Sequence, residues 1–136
     1  MNEHGFIRKI HGKLDKRVYA WKIHDSYQGG VADCYYDGTG GAYLWAEYKY
    51  IALPKRGTTI INVHDALSAL QQEWHTERVA HGINTCVIVG LSSTQGLILK
   101  GLEWQDFKVP MKDVMARICT VQDIVTFIEE SVHVRR

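Results

Sequence analysis

The chain has 136 residues, of which 46% are hydrophobic and 23% are charged, and its formal net charge is +1. These values are typical of one globular domain spanning residues 1–136, and the sequence excludes a membrane span because no apolar run approaches the roughly 18 residues that one needs. The N-terminal residues resemble neither a signal peptide nor a transit peptide, so we expect an intracellular, cytoplasmic protein.

The cysteines, histidines and charges exclude some functions and leave others open. The sequence has neither a C-x-x-C pair nor an H-x-x-x-H pattern, which argues against a disulfide framework and a zinc enzyme, and we expect the three cysteines to be buried thiols. Residues 1–22 are mainly basic and residues 102–130 mainly acidic. The basic segment either faces a polyanion or is ordinary solvated surface, and charge alone favours neither.

In chain order, the hydrophobic spacing first predicts a helix over residues 3–13 and then a strand over residues 18–24. A turn or loop is expected at residues 25–30. Residues 31–53 contain two apolar runs separated by the glycine-rich sequence DGTGG, and this pattern predicts a long β-hairpin. The polar and basic sequence PKRGTT at residues 54–59 predicts a loop.

A second helix is predicted over residues 69–81, where Ser68 and Gln71 form the S-x-x-Q pattern of a capping box. We expect Leu70 and Trp74 on its inner face.

The C-terminal half adds two strands and a last helix. Residues 84–91 and 95–100 predict the strands, and the first is apolar enough to be buried on both faces. The last helix is predicted to start at Thr120 and to be capped through Asp123. The predicted fold class is therefore α/β, a mixed β-sheet with helices packed on its faces.

The hairpin places charged residues where burial is expected. Side chains alternate along a strand, so Glu47 and Lys49 share a face. An odd number of loop residues, 38–40 or 37–41, would put Asp33 opposite Trp45 and diagonal to Glu47 on that same face. An even loop of four would place the two acids on opposite faces. A glycine-rich hairpin loop is commonly odd, so we expect the two acids on one shared face.

Two carboxylates on one face repel each other unless a cation lies between them. Diagonal neighbours on adjacent strands are roughly 7–8 Å apart, which is close enough for both to contact one ion. Oxygen ligands suit Mg²⁺ or Mn²⁺, and Lys49 could then orient a water molecule or stabilise charge on a phosphate. Such a group of side chains suits phosphodiester hydrolysis.

These residues resemble the signature of the PD-(D/E)XK nucleases. A glycine-containing loop precedes Asp33, Glu47-Tyr48-Lys49 follows on the next strand, and Val31-Ala32 stands where many members have a proline before the aspartate. The sequence LSALQQEW at residues 67–74 resembles the L-[ST]-x-x-Q-x-x-W pattern of the VRR-NUC and Holliday-junction-resolvase-like branch. The resemblance covers about residues 3–100 and implies a restriction-endonuclease-like fold.

The resemblance also implies a role for each matching residue. It implies a site for Mg²⁺ or Mn²⁺ whose ligands are Asp33, Glu47, the carbonyl of Tyr48 and, as a first-helix acid, Glu3. It implies a catalytic group consisting of Asp33, Glu47, Lys49 and Gln71. The basic residues that we expect to contact DNA are Lys22, Lys55 and Arg56.

The function implied is a divalent-metal-dependent DNA endonuclease that selects branched DNA and, like related resolvases, acts as a homodimer. The alternative is a nucleic-acid-binding module that kept the fold without catalysis.

Simpler structural interpretations also exist for single residues. Asp33 could form an ion pair with Lys49, Gln71 could serve only the capping box, and the PKRGTT charges could be solvated. Trp45, Tyr48, Tyr50 and Trp74 are expected to pack in the core and sheet.

Overall fold

The computed structural model describes residues 1–24 and 29–136, and all statements below concern these residues. The N-terminal half contains helix α1 (Glu3–Lys13), strands β1 (Tyr19–Lys22), β2 (Cys34–Asp37), β3 (Tyr43–Tyr50) and β4 (Ile60–Asn62), and helix α2 (Ala69–Ala80). The C-terminal half contains β5 (Thr85–Gly90), β6 (Gln95–Lys100), β7 (Lys108–Pro110), the short helix α3 (Met111–Val114), β8 (Cys119–Thr120) and α4 (Val121–Ser131).

Six of these strands form one mixed sheet in the order β1-β2-β3-β5-β6-β8. Strands β3 and β5 pair in parallel, because α2 and its loops carry the chain back to the end where β3 began, and the other pairs are antiparallel. Strands β4 and β7 pair separately as a small antiparallel sheet. The architecture confirms the predicted mixed α/β sheet flanked by helices.

The two faces of the large sheet support two separate hydrophobic clusters. Helices α1 and α4 cover one face, where the cluster includes Ala46 and Tyr48 of β3. The other cluster includes Val87 of β5, and it is closed by the small sheet and the segments around it. Because side chains alternate along β3, Glu47 and Lys49 project towards this second side of the sheet, where α2 also lies.

Several predicted elements are confirmed at or near their predicted bounds. Helix α1 spans residues 3–13 as expected, and both later helices begin with capping boxes, at Ser68 and at Thr120. Strand β5 is buried along its whole length. The first strand is shorter than predicted, and residues 25–28 of the predicted loop lie outside the described residues.

The predicted inner face of α2 is wrong in part. Leu70 is 56% exposed and Trp74 is only partly buried, whereas His75 is completely buried. The helix is rotated so that Gln71 and His75, four residues apart, face the sheet. Leu70 precedes Gln71 by one residue, about 100° around the helix axis, and it therefore points outwards.

The small sheet of β4 and β7 had no counterpart in the predicted elements, because strands of three residues show too little alternation to be recognised.

All three cysteines are free thiols; Cys34 and Cys86 are buried as expected, but Cys119 is only partly buried. Among the described residues, the helices are too short or too polar to cross a lipid bilayer.

Candidate active site

The hairpin of β2 and β3 places Asp33 and Glu47 side by side. Cys34 pairs with Ala46, so Asp33, one residue before β2, lies across from Glu47 on the same face. The prediction of one shared face is confirmed. The predicted register is wrong by two residues, because Tyr35 rather than Asp33 lies opposite Trp45.

The hairpin loop explains this register. Asp37 still pairs with Tyr43, which leaves the five loop residues 38–42. Gly40 and Gly41 both have positive φ angles, of 68° and 79°, which let the chain reverse later than expected. Because five is an odd number, the side chains keep the predicted faces although the register changes.

Glu47 is buried, with 1% of its surface exposed, and only one of its carboxylate oxygens is hydrogen-bonded. Gln71 Nε2 donates to Oε2 at 3.2 Å, and Lys49 Nζ lies 3.9 Å from the same oxygen. Oε1 has no hydrogen-bond partner among the described residues and lies 3.8 Å from His75 Nε2. Burial raises the pKa of Glu47 to about 10, and the neighbouring carboxyl group of Asp33 adds to this rise.

Asp33 is oriented by the backbone of the neighbouring strand. The N–H of Tyr48 donates to Asp33 Oδ2 at 2.8 Å. Trp45 and Ile51 instead direct their N–H groups to the β5 side of the sheet. The N–H and C=O of one strand residue point to the same edge, so the carbonyl of Tyr48 is also directed towards the Asp33 side.

A glycine before Asp33 brings its loop against α2. Gly30 has a φ angle of 90°, and a side chain there would collide with the backbone of Leu70 and Gln71 in the first turn of the helix. Only glycine avoids both the strain and the collision. The loop therefore packs directly on α2 and carries Asp33 to the same corner as Gln71.

Gln71 serves the helix cap and the site together. Its Oε1 accepts a hydrogen bond from the backbone N–H of Ser68 at 2.9 Å and another from Lys49 Nζ at 3.0 Å. The two interpretations of Gln71, cap and site residue, are therefore both consistent with one geometry. Among the described residues Lys49 pairs with Glu47 and forms no ion pair with Asp33, contrary to the simple structural alternative.

The remaining predicted residues lie at the edge of this site or away from it. Glu3 begins α1, and its pKa is raised by partial burial and next by the charge of Asp33. Lys22 Nζ donates to His4 Nδ1 at 2.6 Å, near the same helix end. Lys55 and Arg56 are exposed in the segment that follows β3.

His75 was missed by the sequence interpretation. The available signal was its spacing, because Gln71 and His75 are four residues apart and share one face of α2. The imidazole is completely buried and neither ring nitrogen has a hydrogen-bond partner among the described residues. Burial lowers the pKa of His75 to about 4, so the ring is neutral at physiological pH.

The donor set fits a hard divalent cation. Within residues 1–24 and 29–136 no cluster of three or more His, Cys, Asp and Glu side chains is arranged around one ion position. However, the carboxylates of Asp33 and Glu47 lie side by side, one Glu47 oxygen is buried without a partner, and the Tyr48 carbonyl is directed towards the same edge. Oxygen donors of this kind suit Mg²⁺ or Mn²⁺, whose remaining positions are filled by water or substrate.

The sheet order, the flanking helices and the acid pair at the end of the hairpin define a restriction-endonuclease-like fold. The fold is shared with a solved structure, that of Hjc from Archaeoglobus fulgidus, a Holliday junction resolvase from an archaeal hyperthermophile. The two chains superpose with a TM-score of 0.55 and 20% sequence identity, over 88% of this chain and 97% of that chain. No family model and no curated protein matches the sequence.

Proposed function

We propose that this protein is a divalent-metal-dependent DNA endonuclease of the PD-(D/E)XK type, in its VRR-NUC and Holliday-junction-resolvase-like branch. The observation that carries the proposal is the convergence of Asp33, Glu47, Lys49 and Gln71 on one side of the sheet, with a buried Glu47 oxygen left without a partner. A stable protein seldom leaves a buried polar atom without a hydrogen-bond partner, whereas a ligand site needs such a free atom to bind its ligand.

A bound Mg²⁺ or Mn²⁺ would lower the pKa of a water molecule and screen the charge of the phosphate. Asp33, Glu47 and the Tyr48 carbonyl would hold that ion, with Glu3 as a further acid at the rim. The backbone N–H of Tyr48 keeps Asp33 oriented, and Gln71 keeps the Oε2 atom of Glu47 in place.

Lys49 supplies the mobile positive charge of the site. Its ammonium donates one hydrogen bond to Gln71 Oε1, and its side chain is 18% exposed, so further N–H donors remain for a water molecule or a phosphate. In this position it would orient the attacking water and stabilise the negative charge that develops on the phosphoryl oxygens. Its contribution would therefore lie in the transition state rather than in holding the ion.

Branched DNA is the substrate class that we favour. The support is the fold shared with Hjc, which is described as a Holliday junction resolvase. Lys55 and Arg56 follow the strand that carries Lys49, so they could contact phosphates on either side of the site. We also propose a homodimer, because two symmetric copies would present two such sites to a four-way junction.

The alternative, a binding module without catalysis, is favoured by one observation: the described residues contain no group of three metal-binding side chains. The two proposals differ in a direct assay. The purified protein is incubated with four-way junction, flap, single-stranded and duplex DNA in Mg²⁺, Mn²⁺ or EDTA. We expect metal-dependent products on the junction, whereas binding without any product would support the module.

Variants then assign the roles. Asp33→Asn should abolish cleavage and retain DNA binding, and Lys49→Ala should lose rate while retaining metal affinity. Asp37→Asn is the matched control, because Asp37 lies on the same hairpin and the same face, four residues from Asp33. Neutralising Lys55 and Arg56 together should reduce the log–log salt slope of binding by roughly 0.9 for each phosphate that the variant no longer neutralises. An unchanged slope would place the DNA elsewhere.

A further inference from the structure

An aromatic cavity of about 340 Å³ opens on the sheet surface beside the candidate active site. Three of its walls are indole rings, from Trp21 on β1, Trp45 on β3 and Trp74 on α2. The rings of Trp45 and Trp74 meet edge to face with their centroids 5.6 Å apart. Aliphatic side chains and Arg78 complete the lining.

The cavity lies next to the candidate catalytic residues. Trp45 and Glu47 are two residues apart on the same face of β3, which separates them by about 6.6 Å along the strand. Across the sheet, Trp21 pairs with Tyr35, and Tyr35 pairs with Trp45. A group that entered the cavity would therefore lie beside a phosphate held at the two acids.

The tryptophans are not simply core residues. Trp21 lies on β1, an edge strand, and 48% of its surface is exposed. Trp45 and Trp74 are also only partly buried, contrary to the expectation that they pack in the core. Arg78 adds a cation whose Nε has no hydrogen-bond partner among the described residues.

We propose that this cavity receives an unpaired nucleobase of the DNA, next to the phosphate held at Asp33 and Glu47. Indole faces stack on any base, and a guanidinium can contact a base edge or the neighbouring phosphate. The consequence is a preference for DNA with unstacked bases, such as the branch point of a flap or junction, over uninterrupted duplex. The inference rests on the proposed nuclease function for its choice of ligand.

The competing occupant is the apolar surface of a second copy of the chain. The cavity is concave, is lined by indole rings and a cation, and lies two residues along β3 from Glu47. This shape and chemistry match a planar base and its phosphate better than they match a flat subunit interface. The experiment below separates the two.

The test compares two single-stranded oligonucleotides of equal length, one of thymidines and one of reduced abasic sites, in EDTA so that no cleavage occurs. Both carry the same phosphates, so only the bases differ. We expect the thymidine oligomer to bind about tenfold more tightly and to quench tryptophan fluorescence. Trp21→Ala should remove most of that difference and leave the affinity for the abasic oligomer unchanged. Ile60→Ala, which also removes an exposed apolar side chain, should change neither affinity.

Equal binding of the two oligomers by the wild type would overturn the proposal, and this comparison does not depend on any variant folding. A second result would also overturn it: a Trp21→Ala variant that retains the base preference but sediments as a monomer where the wild type is a dimer. That result would assign the surface to a second copy of the chain. Cleavage is scored separately in Mg²⁺. A base preference without cleavage would reject the nuclease function alone, and cleavage without a base preference would reject the cavity alone.

Discussion

The described residues include two buried glutamates, Glu47 in β3 and Glu129 in α4, and their surroundings are opposite. Glu129 Oε2 accepts hydrogen bonds from Arg136 Nη2 at 2.8 Å and from the backbone N–H of Asp15 at 2.9 Å. Those contacts, with Arg136 first, lower the pKa of Glu129. At Glu47, burial outweighs the lysine nearby and the pKa is raised to about 10.

The difference separates a structural carboxylate from one that we propose to be functional. Glu129 is neutralised within the chain, and it joins α4 to the loop after α1 through Asp15 and to the C-terminal residues through Arg136. Glu47 is surrounded by side chains but left with an unpartnered oxygen. Since burying an uncompensated charge costs several kcal/mol, such a site persists where a cation or a proton completes it.

The largest effect that we expect is on cleavage. Glu47→Gln should reduce the cleavage rate by roughly 100-fold or more, because it removes a charge that would hold the ion. Stability should be unchanged or higher, because the amide is neutral without having to take up a proton. Glu129→Gln is the matched control and should cleave normally. Cleavage rates from gels and urea unfolding of both variants measure the two effects. Normal cleavage by Glu47→Gln would show that Glu47 is not needed for cleavage and does not differ from Glu129 in function.

The next effect is on metal affinity. His75→Leu removes the imidazole that faces Glu47 Oε1, and we expect Mn²⁺ affinity in calorimetry to fall about 10- to 100-fold. His75→Gln, which keeps a hydrogen-bonding group, should recover part of the loss. Thr85→Val is a control of the same kind, because Thr85 is also buried with an unpartnered oxygen. Equal Mn²⁺ affinity in His75→Leu and the wild type would show that His75 only fills space.

A smaller effect is expected at the structural glutamate. Arg136→Ala leaves Glu129 with the backbone N–H of Asp15 as its main partner and should lower the urea midpoint of unfolding. Cleavage should be unaffected. Arg135→Ala, at the neighbouring position, should have little effect on either property. An unchanged urea midpoint in Arg136→Ala would show that the contacts of Glu129 do not stabilise the fold.

The smallest effect concerns pH in the absence of metal. Above pH 4.5 the unfolded chain ionises Glu47, whereas the folded chain retains the proton up to about pH 10, so stability should fall as pH rises through this window. We expect a loss on the order of 1 kcal/mol between pH 6 and pH 7, which is the slope that one proton gives, and this loss should be absent in Glu47→Gln and reduced by Mg²⁺. Glu129, with its lowered pKa, acts oppositely and loses its contribution as pH falls below 4.5. Urea unfolding in EDTA at each pH provides the measurement.

Local patterns in the sequence predicted much of the fold. The bounds of α1, the Ser68–Gln71 capping box and the buried strand β5 all follow from interactions within a few residues. The common face of Asp33 and Glu47 followed from strand alternation together with an odd hairpin loop, which the glycine-rich sequence favoured. These features are local, so a single sequence is enough to specify them.

The parts that were missed depend on contacts between distant residues. The hairpin register depends on where two consecutive glycines adopt positive φ, and the sequence does not reveal that position. The rotation of α2, which buries His75 and exposes Leu70, is decided by Glu47 and by the loop at Gly30. The aromatic cavity joins β1, β3 and α2, three elements that are adjacent only in the folded chain.

Gln71 belongs both to the cap of α2 and to the candidate site. The order of the site therefore depends on whether the first turn of this helix is frayed. The carbonyl that accepts the Ser68 N–H also holds Lys49, so opening of the first turn of α2 releases the lysine at the same time. Helix ends open more readily than helix centres. The hydrogen-exchange rate of the Ser68 amide should therefore report how often Lys49 is out of place, and warming should disorder the candidate site before the sheet beneath it melts.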